Sequence, residues 1–431
     1  MDSFDPVAYI MNPNGQQIRL GLERITELLD HMGNPQNRCK FVHVAGTNGK
    51  GSTCSFVEAA LRAAGLRTGL FTSPHLVDFS ERIQVAGVPI PPDELAEVTW
   101  FVRECAEEAF AGGDEYPTEF ELMTAVGFEY FARKQCDIVV CEVGLGGRLD
   151  STNVIVDPEV CVITRLGVDH VNMLGSDPVG IAREKAAIIK PGCTVVSWPQ
   201  DNPACMDVVR QAAAAVGADV RVPDMDQLVV GAVDECGMRS FSYQGRSYKT
   251  RLLGSYQPSN AVLAIEVVRA MALRGWNVTE DDIARGIEQT VWPGRFEVVE
   301  SGPGKPTLLI DGGHNVQGAQ VLAESLADVF ANRRIVLLMS VLGDKDYRTM
   351  IDLLKPLANA WVCATPPSYR ALPAADLAQA IREQGVEETV PVEAAEDFAD
   401  ALARARTLAG PGDVICAFGS LYSIGDLKAA L

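Results

Sequence analysis

The stretch "KFVHVAGTNGKGSTCSFVEAALRAAG", residues 40–65, limits the fold more than any other part of the chain. It reads as a short buried strand, a glycine-rich turn, and a helix of good helix formers closed by Gly65. A strand that turns through glycines into a helix gathers backbone N–H groups and the positive end of the helix dipole around the turn. Phosphate is held by that arrangement. The common spelling G-x-x-x-x-G-K-[ST] is not met, because Val44 stands five places before Gly49 and Gly51 separates Lys50 from Ser52. Taken alone, the stretch suits either a phosphate loop with its own spelling or an ordinary glycine turn capped by serine.

Around this unit the alternation continues. "RTGLFTS", "CDIVVCEVG", "EVCVITRLG" and "GCTVVSW" read as strands, separated by helical stretches such as "DELAEVTWFVRECAEEAF" and "TEFELMTAVGFEYFARK". Upstream, Ile18, Leu22, Ile25, Leu29 and Met32 recur at spacings of four and three, an amphipathic helix. Apolar strands alternating with helices predict a mostly parallel sheet covered on both faces. A β-rich section, "LVVGAVDECGMRSFSYQGRSYKTRLLGS", with a hairpin expected at Gln244-Gly245, reads as a small annex to this first domain. "TEDDIARGIEQT" is a helix opened by a Thr279 cap. After the proline- and glycine-rich "WPGRFEVVESGPGKP", alternation restarts with "TLLIDGG", "RRIVLLMSVLG", "AWVCAT" and "DVICAFGS". A chain of 431 residues exceeds the usual reach of one core, so the expectation is two α/β domains, 1–293 and 294–431.

Charge and cysteine usage exclude several classes. A net charge of −20 opposes a broad nucleic-acid or anionic-membrane surface, though screening leaves room for a local phosphate site. Eleven scattered cysteines without a C-x-x-C pair suit buried thiols in a reducing cytoplasm better than disulfides or zinc. The start, "MDSFDPVAYI", lacks a signal-peptide pattern, and no apolar run is long enough for a membrane helix.

Polar chemistry gathers at predicted strand ends, where open α/β sheets bind ligands. "FTSPHLVDFSERIQVAG" carries Ser73, His75, Glu81 and Arg82. "EVGLGGRLDSTN" places Glu142 like a metal-binding carboxylate and follows it with glycines that admit close backbone approach. "TRLGVDHVNMLG" presents Asp169 and His170, and "LLIDGGHN" presents Asp311, His314 and Asn315. His43, His75, His170 and His314, four of five histidines, fall in or beside these segments. Lys185 in "IAREKAAIIKPG" reads by default as a solvated surface lysine.

The ordered set "GTNGKGS", "TSPHL…ERI", "EVGLGGRLDSTN", "DH…LG", "EKAAIIK", "PGRFE" and "DGGHN" resembles the folylpolyglutamate synthase and dihydrofolate synthase family of the ATP-dependent Mur ligase superfamily. The likeness runs from the opening helix to "FGSLYSIGDL". It implies a P-loop ligase domain with a mostly parallel sheet, like the Mur ligase central domain, followed by a smaller Rossmann-like C-terminal domain. It also implies a reaction: ATP phosphorylates the carboxylate of dihydropteroate or a folate, and L-glutamate displaces phosphate.

By this resemblance Gly46, Thr47, Asn48, Gly49, Lys50, Gly51 and Ser52 form the phosphate loop, with Asn260, Arg295 and Asp311 as further nucleotide contacts. Ser52 and Glu142 would hold one magnesium ion, and Ser73, Glu142 and His170 a second. Lys50, His170, Lys185, Asp311 and His314 form the expected catalytic set, with Lys185 matching a position often carbamylated and a monovalent cation as a further candidate. Arg82, Thr118, Phe120, Glu121 and Asp150 match the pterin-side wall, and Gly419 and Ser420 a glycine-serine near the reacting end. Domain closure would complete a site drawn from both domains. Departures are Gly313 for alanine, Ala187 for glycine, and Tyr256 for histidine ahead of Gln257. The expectation is a cytoplasmic monomer acting on small molecules. Polyglutamation alone, a P-loop kinase passing phosphate to a hydroxyl, and a nucleotide-dependent binding switch are the competing readings.

Overall fold

A computed structural model of the chain describes residues 4–11, 19–111, 115–169, 173 and 175–431. The described residues of Met1–Leu228 and Ser259–Thr290 form one compact unit, and Val229–Pro258 with Val291–Leu431 form the other.

The first unit is built on an eight-stranded sheet. Its strands are β1 (Phe41–Ala45), β2 (Thr68–Phe71), β3 (Ile83–Val85), β4 (Val88–Pro89), β5 (Ile138–Glu142), β6 (Pro158–Ile163), β7 (Thr194–Ser197) and β8 (Asp219–Arg221), in the order β4-β3-β2-β5-β1-β6-β7-β8. From β2 to β8 all neighbours are parallel, and β3 and β4 run antiparallel at one edge. Every position of β1, β2 and β5 is buried, as strands covered on both faces must be. Phe41, Phe71, Val139 and Cys141 pack with the helices Glu23–His31, Pro92–Ala109 and Glu119–Arg133, while Ala45, Cys161, Ile163 and Val195 pack toward Pro178–Ala186 and Pro203–Val216.

The predicted amphipathic helix begins only at Glu23 and buries Ile25, Leu28 and Leu29, with Gly21 at φ 147° just ahead of it. Ile18 lies outside the described residues. The helix carrying the phosphate loop, Lys50–Ala63, packs against Glu280–Gln289, where Thr279 and Asp282 form the expected cap as a reciprocal capping box. A Cβ added to Gly286 would lie 2.3 Å from the Cα of Ala60, so only glycine lets these backbones approach so closely. We expect Gly286→Ala to destabilise the protein by about 1–3 kcal/mol by forcing the helices apart. Urea unfolding measures this, and an unchanged midpoint would contradict the close packing.

The second unit holds two sheets. Six strands, β12 (Glu297–Glu300), β13 (Thr307–Ile310), β14 (Ile335–Met339), β15 (Ala358–Cys363), β16 (Val392–Ala394) and β17 (Val414–Phe418), run in the order β12-β13-β17-β14-β15-β16. All neighbours are parallel except β12, which is antiparallel to β13. The other sheet is β9 (Leu228–Val233), β10 (Arg239–Tyr243) and β11 (Arg246–Thr250), with the predicted hairpin turning through Gln244 at φ 50° and Gly245 at φ 76°. Expected as an annex to the first domain, this section groups with the second unit instead. Arg239, 1% exposed, donates to Leu253 O and pairs with Asp328, and Ser255 N–H donates to Ser325 Oγ. No helix among the described residues is long and apolar enough to cross a membrane.

Candidate active site

The turn after β1 has the geometry its glycines require. Gly46 (φ 155°) and Gly49 (φ 84°) sit where side chains are strained or have no room. A Cβ on Gly46 would lie 1.8 Å from Thr164 Oγ1, and one on Gly49 2.6 Å from Asn260 Oδ1, so the loop and Asn260 are brought together as expected. The N–H groups of Thr47 and Asn48 both donate to Arg165 O, at 3.0 and 3.1 Å, and the Thr164 hydroxyl donates to Asn48 O at 2.8 Å. These bonds brace the loop against the chain leaving β6. Thr47 and Asn48 therefore shape the loop through their amides. The helix that follows makes its first internal bond from Thr53 N–H to Gly49 O, so the N–H groups of Lys50, Gly51 and Ser52 form its N-terminal, phosphate-favouring end.

Glu142 ends β5 beside this loop, buried at 4% exposure. Its Oε1 lies 3.7 Å from Lys50 Nζ, and its Oε2 accepts from Ser73 N–H at 3.3 Å. Lys50, Ser73 and Glu142, predicted from three separate motifs, thus meet at one strand end, with Ser52 buried in the first helical turn. His170 lies outside the described residues. The donors are a carboxylate and hydroxyls, hard oxygen ligands. Among the described residues no group of three His, Cys, Asp or Glu forms a metal cage. That set fits magnesium, which keeps waters and shares one or two carboxylates with substrate phosphates.

Lys185 is not the surface lysine of its default reading. It is 6% exposed, and its Nζ donates to Gly46 O at 2.9 Å. Burial, with the Lys50 charge nearby, lowers its pKa to about 7, against the pull of Asp169 and Asp150. The glycine loop after β5 rests on the same helix: Arg148 N–H donates to Glu184 O at 2.8 Å, and a Cβ on Gly147 would lie 2.5 Å from that oxygen.

On the expected acceptor side, Thr118 and Glu121 form a capping box that starts the helix Glu119–Arg133, and Glu121 also pairs with Arg24 at 3.1 Å. The pattern T-E-F-E carries this capping signature in the sequence. Their side chains set the helix start and so aim Phe120, whose ring would lie 2.4 Å from a Cβ on Gly144. Arg82 donates to His75 Nδ1 at 2.6 Å and to Met123 Sδ at 3.3 Å. Asp150 faces inward: it accepts from Leu145 N–H at 2.8 Å and from the Thr152 N–H and hydroxyl at 3.0 and 2.5 Å. Burial raises its pKa against those donors.

In the second unit, buried Asp311 accepts from Gly313 N–H at 2.7 Å, Phe296 N–H at 2.9 Å and the Tyr256 hydroxyl at 3.0 Å. Burial raises its pKa, opposed by the Arg295 charge. Tyr256, which departs from the family pattern, is thus a direct partner of Asp311. Its role was not legible 55 residues upstream. The Gly313 departure also has a local reason, since a Cβ there would lie 2.8 Å from Asp311 Oδ1. His314 Nδ1 is 2.8 Å from Gly312 O. Gly419 (φ 107°) has no room for a side chain against Ser340 O, and Ser420 lines a cavity of about 10 Å³ with Asp311, Ser340 and Ser423.

Comparison with known proteins adds the family. Residues 44–268 match the Mur ligase middle domain, and residues 294–421 the Mur ligase, glutamate ligase domain. A dihydrofolate synthase/folylpolyglutamate synthase of Bacillus subtilis is 36% identical over 422 residues, 96% of this chain and 95% of that one. The chain belongs to the dihydrofolate synthase/folylpolyglutamate synthase family. A solved folylpolyglutamate synthase of Mycobacterium tuberculosis, complexed with ADP and AMPPCP, superposes with a TM-score of 0.88 at 33% identity, covering 99% of this chain and 98% of that one. Escherichia coli FolC in complex with DHPP and ADP superposes with a TM-score of 0.83 at 29% identity, covering 98% and 96%.

Proposed function

We propose that the chain ligates L-glutamate to dihydropteroate and to folates at the expense of ATP, through an acyl phosphate. The observation that carries this reading is the meeting of Lys50, Ser73 and Glu142 at the N-terminus of a glycine-led helix. A carboxylate is a poor electrophile and its oxygen a poor leaving group. Attack of the acceptor carboxylate on the γ-phosphorus releases ADP and corrects both. The glutamate amine then forms the C–N bond, phosphate leaves, and the amine proton passes to solvent or a base. Little of this needs covalent chemistry from the protein. Positioning supplies roughly 7–11 kcal/mol and charge neutralisation much of the rest.

In this account the N–H groups at the start of the helix Lys50–Ala63 and the Lys50 ammonium bind phosphate. Asn260 borders the loop, and Arg295, Asp311 and His314 are further nucleotide and catalytic groups. Ser52, Ser73 and Glu142 would hold magnesium, which when bound neutralises phosphate charge, with His170 proposed for a second ion. Phe120, Arg82 and the loop shaped by Asp150 would face the acceptor, and Ser420 its reacting end. Lys185 is proposed as a carbamate: a buried amine with a pKa lowered to about 7 has the neutral form that carbon dioxide requires. We place the functional division near Pro293 and the protein in the cytoplasm as a monomer, a setting that suits its eleven free cysteines.

Glutamate-dependent release of ADP without a phosphorylated small-molecule product tests the ligase against a kinase. ADP release independent of glutamate, with a stable phosphorylated acceptor, would favour the kinase. We further expect both dihydropteroate and a tetrahydrofolate to serve as acceptors, because Arg148 and Asp150 match the bifunctional pattern in "GGRLDSTN". Turnover with the tetrahydrofolate and none with dihydropteroate would remove the synthase half.

A further inference from the structure

We propose that His43 is a positioning residue that acts through Thr152 on Asp150, and so sets the shape of the acceptor loop Gly144–Asp150 from the strand that carries the phosphate loop. The inference rests on the proposed acceptor role of that loop.

His43 lies in the middle of β1, three residues before Gly46, and is fully buried. Its Nε2 is 2.9 Å from Thr152 Oγ1. Thr152 Oγ1 in turn donates to Asp150 Oδ1 at 2.5 Å. A hydroxyl has one proton. With that proton given to the carboxylate, Thr152 can only accept from the imidazole, so His43 must carry its proton on Nε2. Its Nδ1 has no hydrogen-bond partner among the described residues, as a bare ring nitrogen on an apolar strand face would. Burial, with the Lys190 charge nearby, also lowers the His43 pKa to about 3, which keeps the ring neutral throughout the physiological range. His43 therefore cannot serve as an acid or base. It is a fixed donor.

Its hydrogen bond reaches well beyond Thr152. Asp150 holds Leu145 N–H at 2.8 Å, closing the turn that contains Gly146 and Gly147 and directly follows Gly144. Gly144 lies under Phe120, and Gly147 lies on the backbone at Glu184 and Lys185. The relay thus ties the phosphate-loop strand to both neighbours of the acceptor loop. Replacing the donor leaves the Thr152 oxygen without the partner that fixes its place beside Asp150, and the loop loses one of its restraints. Losing the buried bond from His43 to Thr152 should show as about tenfold weaker acceptor binding.

The test compares Asp150→Asn, His43→Leu, Thr152→Val and Thr152→Ser with a tetrahydrofolate acceptor, measuring acceptor and ATP KM, kcat and thermal stability. We expect His43→Leu and Thr152→Val each to raise the acceptor KM about tenfold with the ATP KM within about twofold, and the double variant to be no worse than either alone. Thr152→Ser, which keeps the relay hydroxyl, should stay near the parent protein. Nitrogen-15 spectra of the five histidines should show one ring, absent in His43→Leu, that bears its proton on Nε2 and does not titrate between pH 5 and 8. If Asp150→Asn leaves the acceptor KM unchanged, the acceptor reading of the loop fails. If Asp150→Asn raises it while His43→Leu and Thr152→Val do not, the loop reading stands and the relay is refuted. A His43 ring protonated on Nδ1, or variants that lose stability alone, would equally overturn it.

Discussion

Lys50→Ala should lower ligation by roughly 10²- to 10³-fold, the usual effect of removing one preorganised charge-stabilising donor. Its ammonium lies 3.7 Å from Glu142 Oε1 and makes a long bond of 3.4 Å to Thr47 O. Neither contact holds the loop together, because the loop is braced by Thr164 and Arg165. Thermal unfolding of the variant should therefore stay close to that of the parent, while the ATP KM rises and kcat falls. Glu142→Gln should show a comparable loss, with a higher magnesium requirement. The carboxylate keeps its size but loses the charge that suits a hard cation. Turnover at the parent rate in either variant, with unchanged magnesium dependence, would contradict the assignment of this strand end.

Lys185→Ala should be nearly inactive, and acetate or another short carboxylic acid should partly restore it. The structure gives the chemistry a basis. An ammonium buried near Lys50 is destabilised, which lowers the pKa to about 7. The neutral amine attacks carbon dioxide, a C–N bond forms, one C–O π pair moves to oxygen, and the displaced proton goes to solvent. The product is an anion, so a repelled neighbour of Lys50 becomes an attracted one. The sign of the pH effect follows: the neutral form accumulates as pH rises through about 7, so at fixed dissolved carbon dioxide reactivation of a depleted enzyme should accelerate across that range. An unmodified lysine would reactivate nothing at any pH. Intact-protein mass at neutral pH, with and without carbon dioxide, checks the modification separately from activity.

The sequence was most legible where a local rule governs. β1, β2, β5, β6 and β7 fall on the predicted apolar runs, and Thr279 caps its helix through the expected side-chain bond. The short edge strands were not predicted: β4 has two residues, both exposed, and β8 three, so neither carries an apolar run to read. The three-stranded sheet groups with the second unit through partners distant in sequence, among them Arg239 and Asp328, 89 residues apart. The site shows the same division. Glu142 and Lys50 were legible because strand ends and glycine loops are local features. Burial of Lys185, the inward turn of Asp150 and the contact from Tyr256 to Asp311 depend on partners distant in sequence.

The most direct test of the central claim is the mass of the acceptor product. Purified protein is incubated with ATP, magnesium, L-glutamate and a tetrahydrofolate, and the acceptor is then weighed by mass spectrometry while ADP and phosphate are counted. The account predicts an acceptor extended by glutamyl residues, with one ADP and one phosphate released for each, and no extension when glutamate is omitted. A phosphorylated acceptor that accumulates without gaining glutamate would contradict it.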